Sequence, residues 1–249
     1  MKPARANSGD LLVLPDANAL AAEAADRFVA YAGAAITDRG VALVGLAGGS
    51  SPRAMNALLA SEPRRARVPW NRIRFFFGDE RCVPPDDAES NYRMNRETLF
   101  EPLAVGESQI VRMRGEDPPA AAASAYEALL HGEAGQPPVL DVIFLGLGPD
   151  GHTASLFPGT LANIDVRRTC VENYVPKFAA YRITLTPRAL NAARNVVVVA
   201  GGAEKADALA AVIGGPREPD TYPAQLLAPH RGALHWLADA AAAAKVYTS

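Results

Sequence analysis

The sequence predicts an α/β protein: one doubly wound, mostly parallel sheet flanked by helices, Rossmann-like, with residues 1–249 forming a single domain. Two observations carry this expectation. Apolar, β-rich runs alternate with helical patterns along the whole length, with no linker composition between them. Val41–Ala47 is apolar throughout, as a strand covered on both faces is, and Asn195–Ala200 reads as another buried strand.

At 49% hydrophobic and 21% charged residues the chain can bury a sizeable core. A net charge of -2 and a pI near 6.1 supply no global basic field, which argues against nucleic acid as a partner. An anionic ligand would have to be held by a local cluster of arginine, lysine and helix ends. Cys82 and Cys170 form neither a CxxC pair nor a disulfide framework, so a reducing cytoplasm is the expected compartment. Residues 1–9 are polar, lack the apolar core of a signal peptide and are expected to be disordered. Ala238 to Ala244 is interrupted by Asp239 and is too short to span a bilayer. A soluble, monomeric, cytoplasmic protein with no membrane partner is expected.

Leu11–Leu14 reads as a short strand ended by Pro15. Residues 17–36 place Leu20, Ala24, Phe28 and Tyr31 at helical spacing. The strand Val41–Ala47 runs into Gly48-Gly49-Ser50-Ser51-Pro52, and a helix is expected over Arg53–Ala60. Glycines there let backbone approach a ligand, and hydroxyls with free amides at a helix start suit an anion such as phosphate. An ordinary turn capped by Ser50 or Ser51 explains the same residues. The lysine of a Walker loop is missing.

Ile73–Phe77 is a further strand, whose end carries Gly78-Asp79-Glu80-Arg81-Cys82. Three charged residues at the tip of a buried strand exceed what a solvated turn needs, although such a turn accounts for one or two. Cys82 has no activating base nearby in sequence and reads as a small structural residue. Helices are expected over 91–101, capped by Ser90 or Asn91, and over 119–131, ending at a solvated His131.

Leu140–Leu145 is the strand on which the candidate site depends. It breaks into Gly146, Gly148, Pro149 and Gly151, and the loop carries Asp150 and His152 with Thr153 and Ser155 behind them. Ligands of open α/β sheets sit beyond the carboxyl ends of the strands, so this loop is the expected active site. Tyr181–Thr186 alternates like a strand. Asn195–Ala200 ends at Gly201-Gly202, and Lys205 falls in the expected first turn of the helix that follows. A lysine there opposes the helix dipole and is easier to understand if both bind an anion; a solvated surface lysine is the plainer reading. Ala233–Leu237 is a last strand, the alanine-rich tail is expected to be a closing helix, and His230 and His235 have no evident partners.

Gly146-Leu-Gly-Pro-Asp-Gly151 has the form of a dinucleotide fingerprint, but Pro158-Gly159 follows where a long helix is required. Metal binding lacks a third ligand beside Asp150 and His152. No cofactor is expected. What remains is general acid–base catalysis on a small phosphorylated substrate. His152, an imidazole, can take a proton from water, Asp150 or another carboxylate can set its tautomer, and Arg81 can stabilise an oxyanion.

Gly48-Gly-Ser-Ser-Pro52, Gly78–Pro84 with Ser90-Asn91, and Gly146–Gly159 resemble the signatures of the 6-phosphogluconolactonases, within the wider glucosamine-6-phosphate isomerase/6-phosphogluconolactonase family. Arg182-Ile-Thr184, Gly202–Lys205, Pro223-Ala224 and Trp236 continue the resemblance over nearly the whole chain. The central motif is highly specific, whereas the glycine–serine loop alone is weak. The resemblance implies hydrolysis of 6-phospho-D-glucono-1,5-lactone to 6-phosphogluconate without a metal, in the oxidative pentose phosphate pathway. It implies His152 as the water-activating base with Asp150 beside it and Arg81 orienting substrate or stabilising charge. It implies substrate and phosphate contacts at Gly48, Gly49, Ser50, Ser51, Asp79, Arg182 and Lys205. Ser51 stands where the family usually has threonine, which keeps the hydroxyl, and Ala238 replaces a larger apolar residue. The related glucosamine-6-phosphate deaminases carry a glutamate after the histidine, whereas Thr153–Phe157 contains no carboxylate. A non-catalytic sugar-phosphate sensor would carry a helix-turn-helix ahead of a first strand that here begins near Leu11.

Overall fold

The computed structural model describes residues 9–165 and 167–246, so the disorder expected for residues 1–9 falls, except for Gly9, outside them. In chain order the elements are β1 (Asp10–Leu14), α1 (Ala17–Arg39), β2 (Ala42–Leu46), α2 (Ser50–Leu59), β3 (Ile73–Phe77), β4 (Asp79–Arg81), α3 (Asn91–Asn95), α4 (Pro119–Ala134), β5 (Val142–Gly146), β6 (Cys170–Val175), β7 (Ala180–Leu185), α5 (Pro187–Leu190), β8 (Asn195–Ala200), α6 (Ala206–Gly214) and β9 (Ala233–Asp239). Six strands pair in the order β1-β9-β8-β5-β2-β3, every pair parallel. This is the expected α/β architecture. Val44, Phe75, Val142–Leu145 and Val196–Val198 are almost wholly buried along its centre. Among the described residues no helix is long and apolar enough to cross a membrane.

The structure adds a second, antiparallel sheet in the order β4-β7-β6. Its origin lies at Gly78. The Gly78 amide still donates to Leu46 O in the parallel sheet (2.9 Å), while its carbonyl accepts from Leu185 N of β7 (2.8 Å). Tyr126 of α4 satisfies the backbone at the divergence, its hydroxyl accepting from Phe77 N and donating to Phe77 O. The charged residues read as a strand tip are therefore themselves a strand, β4, in another sheet. Hydrophobic patterning did not reveal it, because Asp79 and Glu80 are buried carboxylates. β6 was likewise not anticipated.

Four further expectations are corrected. Helix α2 starts at Ser50 rather than Arg53, with Gly49 before it at φ 105° and no side-chain cap. Residues 240–246 form a run of turns rather than a helix. His131 is not simply solvated: its Nε2 lies 2.7 Å from Thr169 Oγ1. His235 has a partner, with Nε2 3.0 Å from Tyr31 Oη and the two rings stacked.

Candidate active site

From β2 the chain continues outward to β3, and it later returns to place β5 on the other side of β2. The loops after β2 and β5 therefore part at a topological switch point, where an open α/β sheet leaves a crevice. A cavity of about 290 Å³ occupies that crevice, walled by residues 47–52 and 146–149 together with Asp79, Arg81, Asn91, His152, Phe178, Arg182, Val199, Gly201 and Lys205. Every residue expected from the sequence to form the site lines it, except Asp150, which reaches the cavity only through His152.

The β5 loop is built to hold one imidazole. Gly151 turns the chain at φ 75°, and Gly148 N donates to His152 O at 2.8 Å. A Cβ on Gly148 would stand 1.9 Å from His152 Nδ1, so only glycine leaves room for the ring. Phe157 stacks on the imidazole with centroids 4.1 Å apart, and Phe178 meets Phe157 edge-on at 5.6 Å. His152 Nδ1 lies 2.5 Å from Asp150 Oδ1, and Lys177 Nζ donates to Asp150 Oδ2 at 2.8 Å. Burial opposes the charge on Asp150, but the hydrogen bonds from His152 and Lys177 outweigh it and hold the carboxyl well below the usual carboxylate range. An ionised carboxylate only accepts, so it selects the tautomer of a neutral imidazole that carries its proton on Nδ1, the one that leaves the Nε2 lone pair free.

The rest of the cavity is cationic. Arg81 and Arg182 face each other across the β4–β7 pair, and Lys205 enters from the short turn Ala203–Lys205 that precedes α6. Burial, and then the charge of Arg81, push the Arg182 guanidinium below its ordinary value. The N-terminus of α2 adds uncapped amides at Ser50 and Ser51, next to Pro52, which has none. Gly201 at the end of β8 adjoins this turn: a Cβ there would lie 3.4 Å from Ser51 Oγ. Asp239 pins the neighbouring Gly202 amide at 2.9 Å. Two arginines, a lysine and a helix N-terminus converging on one cavity suit a phosphorylated ligand.

The carboxylates of β4 support this arrangement. Asp79 lines the cavity, but its side chain accepts from Ser155 Oγ (2.6 Å) and Asn91 Nδ2 (3.3 Å) and so ties β4 to the β5 loop. Glu80 accepts from Asn91 N, Tyr92 N, Ser90 Oγ and its neighbour Arg81 N, closing the start of α3. Burial raises its pKa in spite of those bonds. Burial also raises the Cys82 thiol, in keeping with a structural role. Among the described residues no cluster of three or more His, Cys, Asp or Glu has the makings of a metal site. Sequence reading missed Lys177, Phe157 and Phe178. Pro176-Lys-Phe178 follows Cys170–Val175, whose residues do not alternate, and its contact with Asp150 depends on how the two sheets pack.

Comparison with known proteins agrees with this geometry. Residues 15–236 match the family described as glucosamine-6-phosphate isomerases/6-phosphogluconolactonase. A 6-phosphogluconolactonase of Mycobacterium tuberculosis is 38% identical over 248 residues, covering 96% of this chain and 99% of the relative. One from Treponema pallidum is 43% identical over 175 residues, covering 69% and 72%. The solved 6-phosphogluconolactonase of Trypanosoma cruzi superposes with a TM-score of 0.86 at 29% identity, covering 96% of this chain and 97% of that one. The chain belongs to the glucosamine-6-phosphate isomerase/6-phosphogluconolactonase family.

Proposed function

We infer that the protein hydrolyses 6-phospho-D-glucono-1,5-lactone to 6-phosphogluconate, the lactonase step of the oxidative pentose phosphate pathway. The observation that carries this reading is the Asp150–His152 pair at 2.5 Å on the wall of a cavity lined by Arg81, Arg182 and Lys205. The full-length relatives named 6-phosphogluconolactonase support the same reaction. The loop Thr153–Phe157 offers no carboxylate for the sugar-ring opening of a deaminase, and the cavity's Asp79 is committed to Ser155 and Asn91.

In the proposed mechanism the phosphate is held by the amides and hydroxyls at residues 48–51 with Lys205 and Arg182, which brings the lactone carbonyl toward His152. His152 Nε2 removes a proton from water as the water oxygen attacks C1. Asp150 holds the resulting imidazolium through Nδ1. Arg81 or loop amides stabilise the oxyanion. Collapse breaks the bond to the ring oxygen, which takes the proton back from Nε2. A lactone is an activated ester, so one positioned base contributing about 10²–10⁴-fold, together with orientation, is enough. The same reading takes the working form to be a cytoplasmic monomer, and the net charge of -2 supports the reading that nucleic acid is not a partner.

The test generates the lactone with glucose-6-phosphate dehydrogenase and follows acid release, with spontaneous hydrolysis subtracted. Wild type should accelerate the reaction and His152→Ala should fall at least about a hundredfold. Equal rates would remove His152 from the mechanism.

A further inference from the structure

We propose that Lys177 is a positioning residue of the lactonase site: delivered by the turn between β6 and β7, it binds the outer oxygen of Asp150 and sets the charge that His152 experiences during proton transfer. This rests on His152 being the base.

The geometry is a chain of three groups. Lys177 Nζ lies 2.8 Å from Asp150 Oδ2, and Asp150 Oδ1 lies 2.5 Å from His152 Nδ1. Each carboxylate oxygen thus has its own partner, and the plane of Asp150 is held at both ends. The same short turn, Pro176–Phe178, puts Phe178 against Phe157, which in turn stacks on His152. The hairpin closes on itself immediately after, with Ala179 in the left-handed region at φ 47°. One turn, 25 residues beyond His152, therefore reaches the imidazole by two routes, an ionic one through Asp150 and an apolar one through Phe157. A lysine needed only for solubility would not be aimed at a carboxylate that contacts the imidazole.

The electrostatic consequence has a definite sign. Asp150 stabilises positive charge on the imidazole, and the ammonium of Lys177 offsets part of that negative charge, so removing Lys177 alone favours the protonated ring. The other charged groups that line the cavity with His152 are Asp79 and Arg81 from β4, Arg182 from β7 and Lys205 from the turn before α6. All four stay in place when Lys177 alone is changed.

The experiment compares pH profiles of kcat for wild type, Lys177→Met and Lys177→Arg below the pH at which the lactone hydrolyses spontaneously at a competing rate. Lys177 is half exposed, so the variants should fold, and thermal unfolding checks that they do. Lys177→Met should move the acid limb of kcat to higher pH by roughly half a unit or more. Lys177→Arg, which keeps the charge, should leave the limb near its wild-type position. An unmoved limb in Lys177→Met, whether or not the plateau falls, overturns the proposal, as does an equal shift in both variants. If His152→Ala is fully active the mechanism itself is wrong; if it is inactive while Lys177→Met keeps the wild-type limb, only the role of Lys177 falls.

Discussion

Arg81 and Arg182 stand directly opposite each other where β4 pairs with β7. Like charges in that position destabilise an antiparallel pair by some tenths of a kcal/mol, and here both line the same cavity. The pairing fits the proposed site, in which an anion between the two guanidinium groups would convert repulsion into binding.

Arg182→Ala should therefore leave the ligand-free protein as stable as wild type or slightly more so. The KM for the lactone should rise about tenfold or more, as for a lost charge-assisted hydrogen bond of about 1.5–3 kcal/mol. Thermal unfolding without ligand and steady-state kinetics separate the two effects. An unchanged KM would take Arg182 out of substrate binding.

Two glycine-to-alanine substitutions should act in opposite directions. At Gly148 the new Cβ falls 1.9 Å from His152 Nδ1 and must displace the imidazole. We expect kcat to drop about a hundredfold through misplacement of the base. At Gly132, inside α4, a Cβ meets nothing within 4 Å. There alanine should stabilise by about 0.5–1 kcal/mol, read as a raised denaturation midpoint at unchanged activity.

Asp150→Asn should lower kcat by about 10²–10⁴-fold, because an amide no longer enforces the Nδ1–H tautomer or holds the imidazolium. Its effect on stability should depend on pH. The folded pKa of Asp150 lies below the ordinary carboxylate value near 3.9, so the stability it contributes is complete above about pH 4 and is lost as pH falls through the depressed folded value. The variant should be less stable than wild type at neutral pH, and chemical denaturation at successively lower pH should show the gap closing. A constant gap would mean that the ionised carboxylate is not what is lost.

Glu80→Ala should destabilise by about 3 kcal/mol or more, since it strands the Asn91 and Tyr92 amides and the Ser90 hydroxyl in a buried place. A loss of less than about 1 kcal/mol of unfolding free energy in urea would show that water replaces the carboxylate.

Much of the site was legible residue by residue. The glycine–serine loop, the charged stretch after β3, the Asp150–His152 loop and Lys205 each follow a strand, and parallel strands bring their ends to one edge. Local patterning failed where polar residues are buried by partners distant in sequence. Asp79 and Glu80 look like a surface tip until Ser155, Asn91 and the start of α3 are folded onto them. Lys177 looks solvated until β6 and β7 form a hairpin. The alanine-rich tail carries a helical composition, yet Asp239 takes the amides of Gly202 and Ala242 and the chain stays in turns.

The sequence by itself determined the α/β class, the glycine-rich exits of the parallel strands and which histidine follows the exit of β5, because hydrophobic runs and glycine breaks are local signals. Only the tertiary structure decided that β4 leaves the main sheet at Gly78, that Arg81 meets Arg182, and that Lys177 closes on Asp150. Those are pairings between residues far apart in the chain, and they exist only once the two sheets have packed.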